Sequence, residues 1–277
     1  METKSLSDFV RMTRGALVAA GFVRHESDGN VWFENVRQAN VGQASACPGQ
    51  AEACPTLVLI HGANDHAGTW FAVAPALAQR YRVLIPDLPG HGESEPRSGP
   101  IPLSLIVARL EALLANEREL TVVGNSLGGW MALLYTLRNR ERVSRLVLES
   151  SGGLNRPLAV PLVARTAREA LTILRAVHGP GYEPPEWVIE SLLARAIDSP
   201  MLRLTELLEH TVEPRLGELD VPTTLIIGAD DGVVTRDYSE ALRDLIPKAT
   251  MRVIEGAAHI PHLQQPGRFL ECLTSIS

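Results

Sequence analysis

The stretch Gly124-Asn-Ser-Leu-Gly128 sets one serine between two glycines, directly after the β-branched run Thr121-Val-Val123. In a G-x-S-x-G pattern the serine sits on a sharp turn from strand into helix, and only small neighbours two residues to either side let the chain close. Such a turn presents the hydroxyl at the carboxyl end of the strand. It also aims the first N–H groups of the following helix at negative charge developing beside it. Ser126 is therefore a candidate nucleophile, and its competing plain role is to cap a helix in a glycine-rich turn.

A nucleophilic hydroxyl needs a base, and the base needs an acid to orient it. Downstream, "LIIGADDGVV" offers Asp230 and Asp231 after an apolar run. Adjacent side chains diverge, so one faces the serine and the other serves the Asp-Asp-Gly turn; Asp231 is the preferred acid. In "MRVIEGAAHIPHLQQP", His259 follows a small, flexible Gly-Ala-Ala loop, whereas His262 follows Pro261 and falls in the first turn of a helix. His259 is the expected base, and His25, His178 and His210 are read as structural. Acyl transfer also requires two N–H groups directed at the carbonyl oxygen as it becomes negative. Leu127, next after the serine, supplies one; Ala63 in "HGANDHAGTW" supplies the other, with Asn64 as the alternative position and His61 as a structural hydrogen-bonder.

The elements that must position these residues alternate along the chain. A helix is expected from about Ser5 to Ala20, then a strand in "NVWFENV", a loop or ragged hairpin over Asn40 to Pro55, and a buried strand Thr56 to Ile60 running into His61. Further strands follow at "YRVLIPD", "LTVVGN" and "VSRLVLES", with helical stretches between them, the rhythm of βαβ units and a parallel sheet. From Leu154 to Leu216 there is no convincing strand, only the three helical runs "PLVARTAREALTILRAV", "PPEWVIESLLARAI" and "SPMLRLTELLEHTV". Strands resume at "PTTLIIG" and "ATMRVIE". The expected fold class is α/β, a mostly parallel central sheet flanked by helices. Residues 1–153 and 217–277 would form the core domain, and 154–216 a small helical cap inserted after the sixth strand, over one end of the sheet. Apolar runs near Leu171 to Val177 and Trp187 to Leu193 would line a pocket or pack against the sheet domain.

Composition bounds the function. The 277 residues are 45% apolar and 21% charged, ordinary globular usage that excludes a disordered or fibrous chain. A net charge of −6 without a basic block argues against nucleic acid as a partner. Lys4, Arg11 and Arg14 precede "ALVAAGFV", but Asp8 interrupts them and no A-x-A-like site follows, so no secretory leader is read. No apolar segment approaches the ~20 residues that span a bilayer. A soluble, cytoplasmic monomer or homodimer acting on a small molecule is expected. Cys47, Cys54 and Cys272 have no metal-ligand spacing; Cys47 and Cys54 are read as surface thiols, with a disulfide only in an exported protein.

Together "LVLIHG", "DLPGHGES", "VVGNSLGG", "LIIGADDGVV" and "GAAHIPHLQQP" resemble the α/β-hydrolase fold family with a cap, from Leu57 to Leu270, and the order Ser126, Asp231, His259 is similar to that family's own. The resemblance implies an acyl-enzyme mechanism needing no metal, nucleotide or flavin. It also implies that Asp87 and His91 brace loops. Serine at the elbow sets the chain apart from the family's dehalogenases and epoxide hydrolases, which carry aspartate there. The "GNSLGG" elbow is also similar to that of carbon-carbon hydrolases of ring-cleavage products, but "HGANDH" lacks their glycine-rich loop and Ile260 stands where they commonly have tryptophan. A carboxylic-ester hydrolase is the first reading, carbon-carbon cleavage the second, and a non-turnover small-molecule receptor the alternative of another class.

Overall fold

The computed structural model describes residues 5–35 and 54–275, so Cys47 and most of the expected Asn40 to Pro55 loop lie outside the described residues. Helix α1 (Leu6–Ala19) starts where the Ser5 hydroxyl accepts the Asp8 N–H at 3.1 Å. Strands β1 (Phe22–Ser27), β2 (Asn30–Asn35), β3 (Thr56–Ile60) and β4 (Arg82–Pro86) follow. Next come α2 (Leu103–Leu113), β5 (Leu120–Asn125), α3 (Leu127–Arg138) and β6 (Val143–Glu149). After an inserted segment with α4 (Ala167–His178) and α5 (Glu186–Ala194), the chain ends through β7 (Thr223–Gly228), α6 (Arg236–Asp244), β8 (Ala249–Ile254) and α7 (Pro266–Thr274).

The eight strands form one sheet in the order β1-β2-β4-β3-β5-β6-β7-β8. Every pairing is parallel except those made by β2, which runs against both its neighbours. Central strands covered on both faces read as unbroken apolar runs, and all residues of β3 and β5 are buried. Successive side chains still alternate between faces. Val58 and Ile60 enter one core cluster with Met131 and Leu134 of α3, while Leu57 and Leu59 enter the other with Trp70 and Phe269.

Two departures from the sequence reading have local causes. Strand β1 went unread because only Phe22 of its six residues is buried, so it carries no apolar pattern. Its signal was the turn instead: Asp28 and Gly29, at φ 50° and 73°, form a two-residue connection of the left-handed kind that joins hairpin strands. The third helical run also fails. Only Pro200–Arg203 is helical; Leu204–Thr205 then extends and pairs in parallel with Ile101–Pro102, and Glu206 takes φ 64° while its carboxylate accepts the Ser104 N–H at 3.1 Å. Burial of Leu204 in the main core outweighs the helical periodicity around it. In α4 and α5 the apolar faces meet each other: Ala170 and Ile173 pack with Ile189, Leu192 and Leu193 in a cluster of their own, while Ala176 joins the main core and Val177 packs against both clusters. Among the described residues no helix is long and apolar enough to cross a membrane.

Candidate active site

The turn from β5 into α3 is as tight as its glycines demand. Ser126 lies at φ 55°, ψ −114°, a strained conformation for a side-chain-bearing residue. A Cβ on Gly124 would lie 2.2 Å from the Gly128 carbonyl oxygen, and one on Gly128 would lie 2.2 Å from that of Ile60. Both obstacles are backbone, so neither can move aside. The strained turn is held by its own backbone bonds: the Ser126 N–H donates to Glu149 O at 3.0 Å, and Ser126 O accepts the N–H groups of Gly129, Trp130 and Gly152.

Asp231 and His259 meet at the carboxyl ends of β7 and β8. His259 Nδ1 lies 3.1 Å from Asp231 Oδ1 and 3.0 Å from Oδ2, and both side chains are almost wholly buried. Oδ1 also accepts the N–H groups of Val233 and Val234 at 2.9 and 3.0 Å, which fixes the carboxylate plane. A carboxylate can only accept here, so the Nδ1 atom carries the proton and Nε2 keeps its lone pair. Asp230 is exposed and contributes its N–H to Ala257 O. The loop carrying His259 is tied to the serine turn through Asn125, whose Nδ2 donates to His259 O at 3.0 Å. No hydrogen bond joins Ser126 Oγ to His259 Nε2 among the described residues; neither atom is sealed away from solvent.

The inserted segment fastens this pair from the other side. Its helix α4 ends with three free carbonyls, and each takes a donor from the site: Ala176 O from Gly232 N–H, Val177 O from His259 N–H, and His178 O from Gln264 Nε2. The Asp231 loop, the His259 loop and the residues after them thus share one helix terminus. Burial pushes the neighbouring His178 down, with the charge of His259 acting in the same direction.

Opposite the serine, His61 sets the direction of one peptide. Its Nε2 accepts the Leu88 N–H at 3.0 Å, so Nδ1 carries the proton and donates to Gly62 O at 2.8 Å. Burial pushes this imidazole down to about 4, consistent with a neutral ring. In a trans peptide the N–H points opposite the carbonyl, so pinning Gly62 O turns the Ala63 N–H away from His61. Gly62 itself packs on the serine turn, a Cβ there falling 3.2 Å from Ser126 Cβ. The N–H groups of Ala63 and Leu127 have no acceptor among the described residues. Asn64, at φ 58°, spends its side chain on the inserted segment, accepting from Ser199 Oγ at 2.7 Å and donating to Leu162 O.

Asp87 accepts from Arg14, from Ala67 N–H and from Glu93 N–H, and His91 is buried against Pro89 O, so both brace loops. His25 stacks on Trp32, and His210 contacts Glu206. One buried assembly escaped sequence reasoning. His262 Nδ1 lies 2.7 Å from Glu149 Oε2, its N–H donates to Oε1, and its Nε2 meets Thr69 Oγ1 at 3.1 Å under the Trp70 ring. Both side chains are fully buried, so His262 serves this network beneath the site. The signal in the sequence was a lone glutamate closing an apolar strand. Cys54 is disulfide-bonded, which departs from its reading as a surface thiol, and Cys272 is free.

Comparison with known proteins fits this geometry. A model of the alpha/beta hydrolase family matches residues 57–271. The chain is 28% identical over 246 residues to a pimeloyl-[acyl-carrier protein] methyl ester esterase of Aeromonas hydrophila, covering 79% of this chain and 94% of that one. It is 28% identical over 259 residues to a 2-hydroxy-6-oxononadienedioate/2-hydroxy-6-oxononatrienedioate hydrolase of Cupriavidus pinatubonensis, covering 82% and 88%. Among solved structures, a bacterial membrane phospholipase A superposes with a TM-score of 0.75 at 24% identity, over 97% of this chain and 91% of that one.

Proposed function

The chain belongs to the alpha/beta hydrolase family and is a hydrolytic enzyme, and from that premise we propose that it cleaves carboxylic esters of small, fairly apolar molecules through Ser126, His259 and Asp231. The observation that carries this reading is the oriented imidazole: His259 holds its Nδ1 proton against Asp231, which leaves the Nε2 lone pair to take a proton from serine. Ser126 Oγ attacks the acyl carbon as its proton passes to Nε2, and the carbonyl oxygen becomes an oxyanion held by the N–H groups of Leu127 and Ala63. Collapse of this intermediate breaks the bond to the alkoxide, which takes the proton from Nε2 and leaves the acyl group on Ser126. A water molecule then gives its proton to Nε2, attacks the acyl carbon and releases the acid, returning the proton to Ser126. The Ser126–His259 hydrogen bond is expected to form when substrate enters, a tightening common in such sites.

Residues 154–216 act as a cap, with Leu158, Val160 and Leu162 packed, half-buried, against the main cluster, as Ala63 and Trp130 are. These side chains favour an apolar acyl group, and the ester hydrolysed by the Aeromonas relative supports that bond type. The Cupriavidus relative supports the second reading, carbon-carbon cleavage by the same three residues. Short-chain p-nitrophenyl esters test the first reading. Wild type should turn them over, and Ser126→Ala should lose on the order of 10⁶ in kcat, as when a triad serine is removed elsewhere. Equal slow hydrolysis by both proteins would end the proposal, while bleaching of a coloured dienoate without ester turnover would shift it to carbon-carbon cleavage.

A further inference from the structure

The imidazole of His259 stands on a loop held through its own backbone. Ala257 and Ala258, both buried, lie against the end of β7, where a Cβ on Gly228 would fall 2.1 Å from Ala258 O. The His259 N–H donates to Val177 O of α4 at 3.0 Å, and His259 O accepts Asn125 Nδ2. The Ala258 N–H has a side chain as its partner, for Gln264 Oε1 accepts it at 2.8 Å. Gln264 closes the single helical turn that Pro261 starts just after the base, and its Nε2 donates to His178 O at 2.9 Å.

These bonds make a ladder of two rungs, with Ala258 and His259 on one side and Val177 and His178 on the other. The backbone bond from His259 N–H to Val177 O is one rung. The Gln264 amide is the second, bridging Ala258 N–H to His178 O as a peptide unit would. One of its partners can only donate and the other can only accept, so the amide has one orientation, and an ionised carboxylate in its place would satisfy only the first. A single hydrogen bond leaves the loop free to swing about it, whereas two fix its angle. With Nδ1 already held by Asp231, that angle sets where Nε2 points. Displacing a reacting group by about 1 Å can cost about 10² in rate.

We infer that Gln264 is a positioning residue for His259: its amide locks the loop of the base to the end of α4, and so holds Nε2 where it takes the serine proton and passes it to the leaving group. The assignment rests on the hydrolytic roles proposed above for Ser126, His259 and Asp231. Gln264 acts through the Ala258 N–H rather than on a reacting atom. Gln265 instead donates to Gly256 O at 3.3 Å, outside this ladder.

Ethyl butyrate and p-nitrophenyl butyrate test this, because they share an acyl group and differ in the alcohol. Ethoxide must take a proton from Nε2 as it leaves, whereas p-nitrophenoxide, a far weaker base, needs little such help. The kcat/KM for each ester, per serine titrated with a fluorophosphonate, therefore reads the placement of the base, while a purely structural loss appears in the titre and the melting temperature. Gln264→Met keeps the length and removes both bonds; it should lower kcat/KM about tenfold for the p-nitrophenyl ester and about 10² for the ethyl ester. Gln264→Glu still accepts from Ala258 N–H and should fall between that variant and wild type. Gln265→Met should keep the ratio of the two esters within about twofold of wild type. Equal losses on both esters, changes under about twofold on both, or a Gln264→Glu no nearer wild type than Gln264→Met would overturn the inference and leave the triad standing. If Gln264→Met does not fold, a shift under about threefold in the ester ratio of Gln264→Glu overturns it. Wild type inactive on both esters would overturn the proposed function and this assignment together.

Discussion

Replacing Asp231 by asparagine isolates the orienting role of the carboxylate while keeping its shape. In the native protein Oδ1 accepts two backbone N–H groups, from Val233 and Val234, as well as lying near His259 Nδ1. An asparagine must keep its oxygen toward those two donors, because an amide nitrogen there would set donor against donor. Its Nδ2 then takes the place of Oδ2, 3.0 Å from His259 Nδ1. An amide donates, so Nδ1 must accept, and the imidazole proton moves to Nε2, where it blocks acceptance of the serine proton. The best-studied triad loses about 10⁴ in kcat on this change. A fall of about 10³ to 10⁴ in kcat is expected here, about 4 to 5.5 kcal/mol of lost transition-state stabilisation. The assay is steady-state hydrolysis of p-nitrophenyl butyrate, with KM changing by less than about threefold because the bound ester does not touch Asp231. Asp230→Asn, at the exposed neighbour, should leave both constants within about twofold. Retention of more than a tenth of wild-type kcat by Asp231→Asn would refute the tautomer argument.

Gly124→Ala should destabilise the protein by about 3 kcal/mol or more and abolish ester turnover, since the new methyl meets backbone at 2.2 Å; denaturant unfolding and the butyrate assay read both, and a folded, active variant would contradict the turn as described. His262→Ala leaves Glu149 buried without its side-chain partner and should cost about 3 to 5 kcal/mol, whereas adding Glu149→Gln should recover part of that loss; unfolding midpoints that shift by under about 1 kcal/mol would show the pair to be dispensable. Acid sensitivity has a definite sign. Burial pushes His61 down to about 4 and His66 and His91 down to about 3, so the unfolded chain binds more protons than the native one below pH ~6.5, and stability present above that value is lost as pH falls toward 4. Each contributes a slope of about 1.4 kcal/mol per pH unit inside its window, partly offset by Asp65 and Asp87, which burial pushes up. Urea unfolding at pH 7 and pH 5 should therefore give lower stability at pH 5, and the reverse order would exclude the neutral-histidine account.

Much of this protein is written locally. Short runs rich in β-branched and other apolar residues, such as Thr56–Ile60 and Leu120–Val123, read as strands covered on both sides, and the paired glycines around Ser126 mark a turn that larger residues would obstruct. The chemistry-bearing residues were legible as types at those strand ends. What the chain alone left open was decided by contacts distant in sequence. Asp231 differs from Asp230 because Val233, Val234 and His259 surround one carboxylate while the other meets solvent. His262 is withdrawn by Glu149, over a hundred residues away. The helical pattern after Ser199 yields to pairing with Ile101. Periodicity and turn chemistry act over a few residues, so a sequence displays them; burial and hydrogen-bond partnership are set by whichever segments meet, and exist only once the chain has folded.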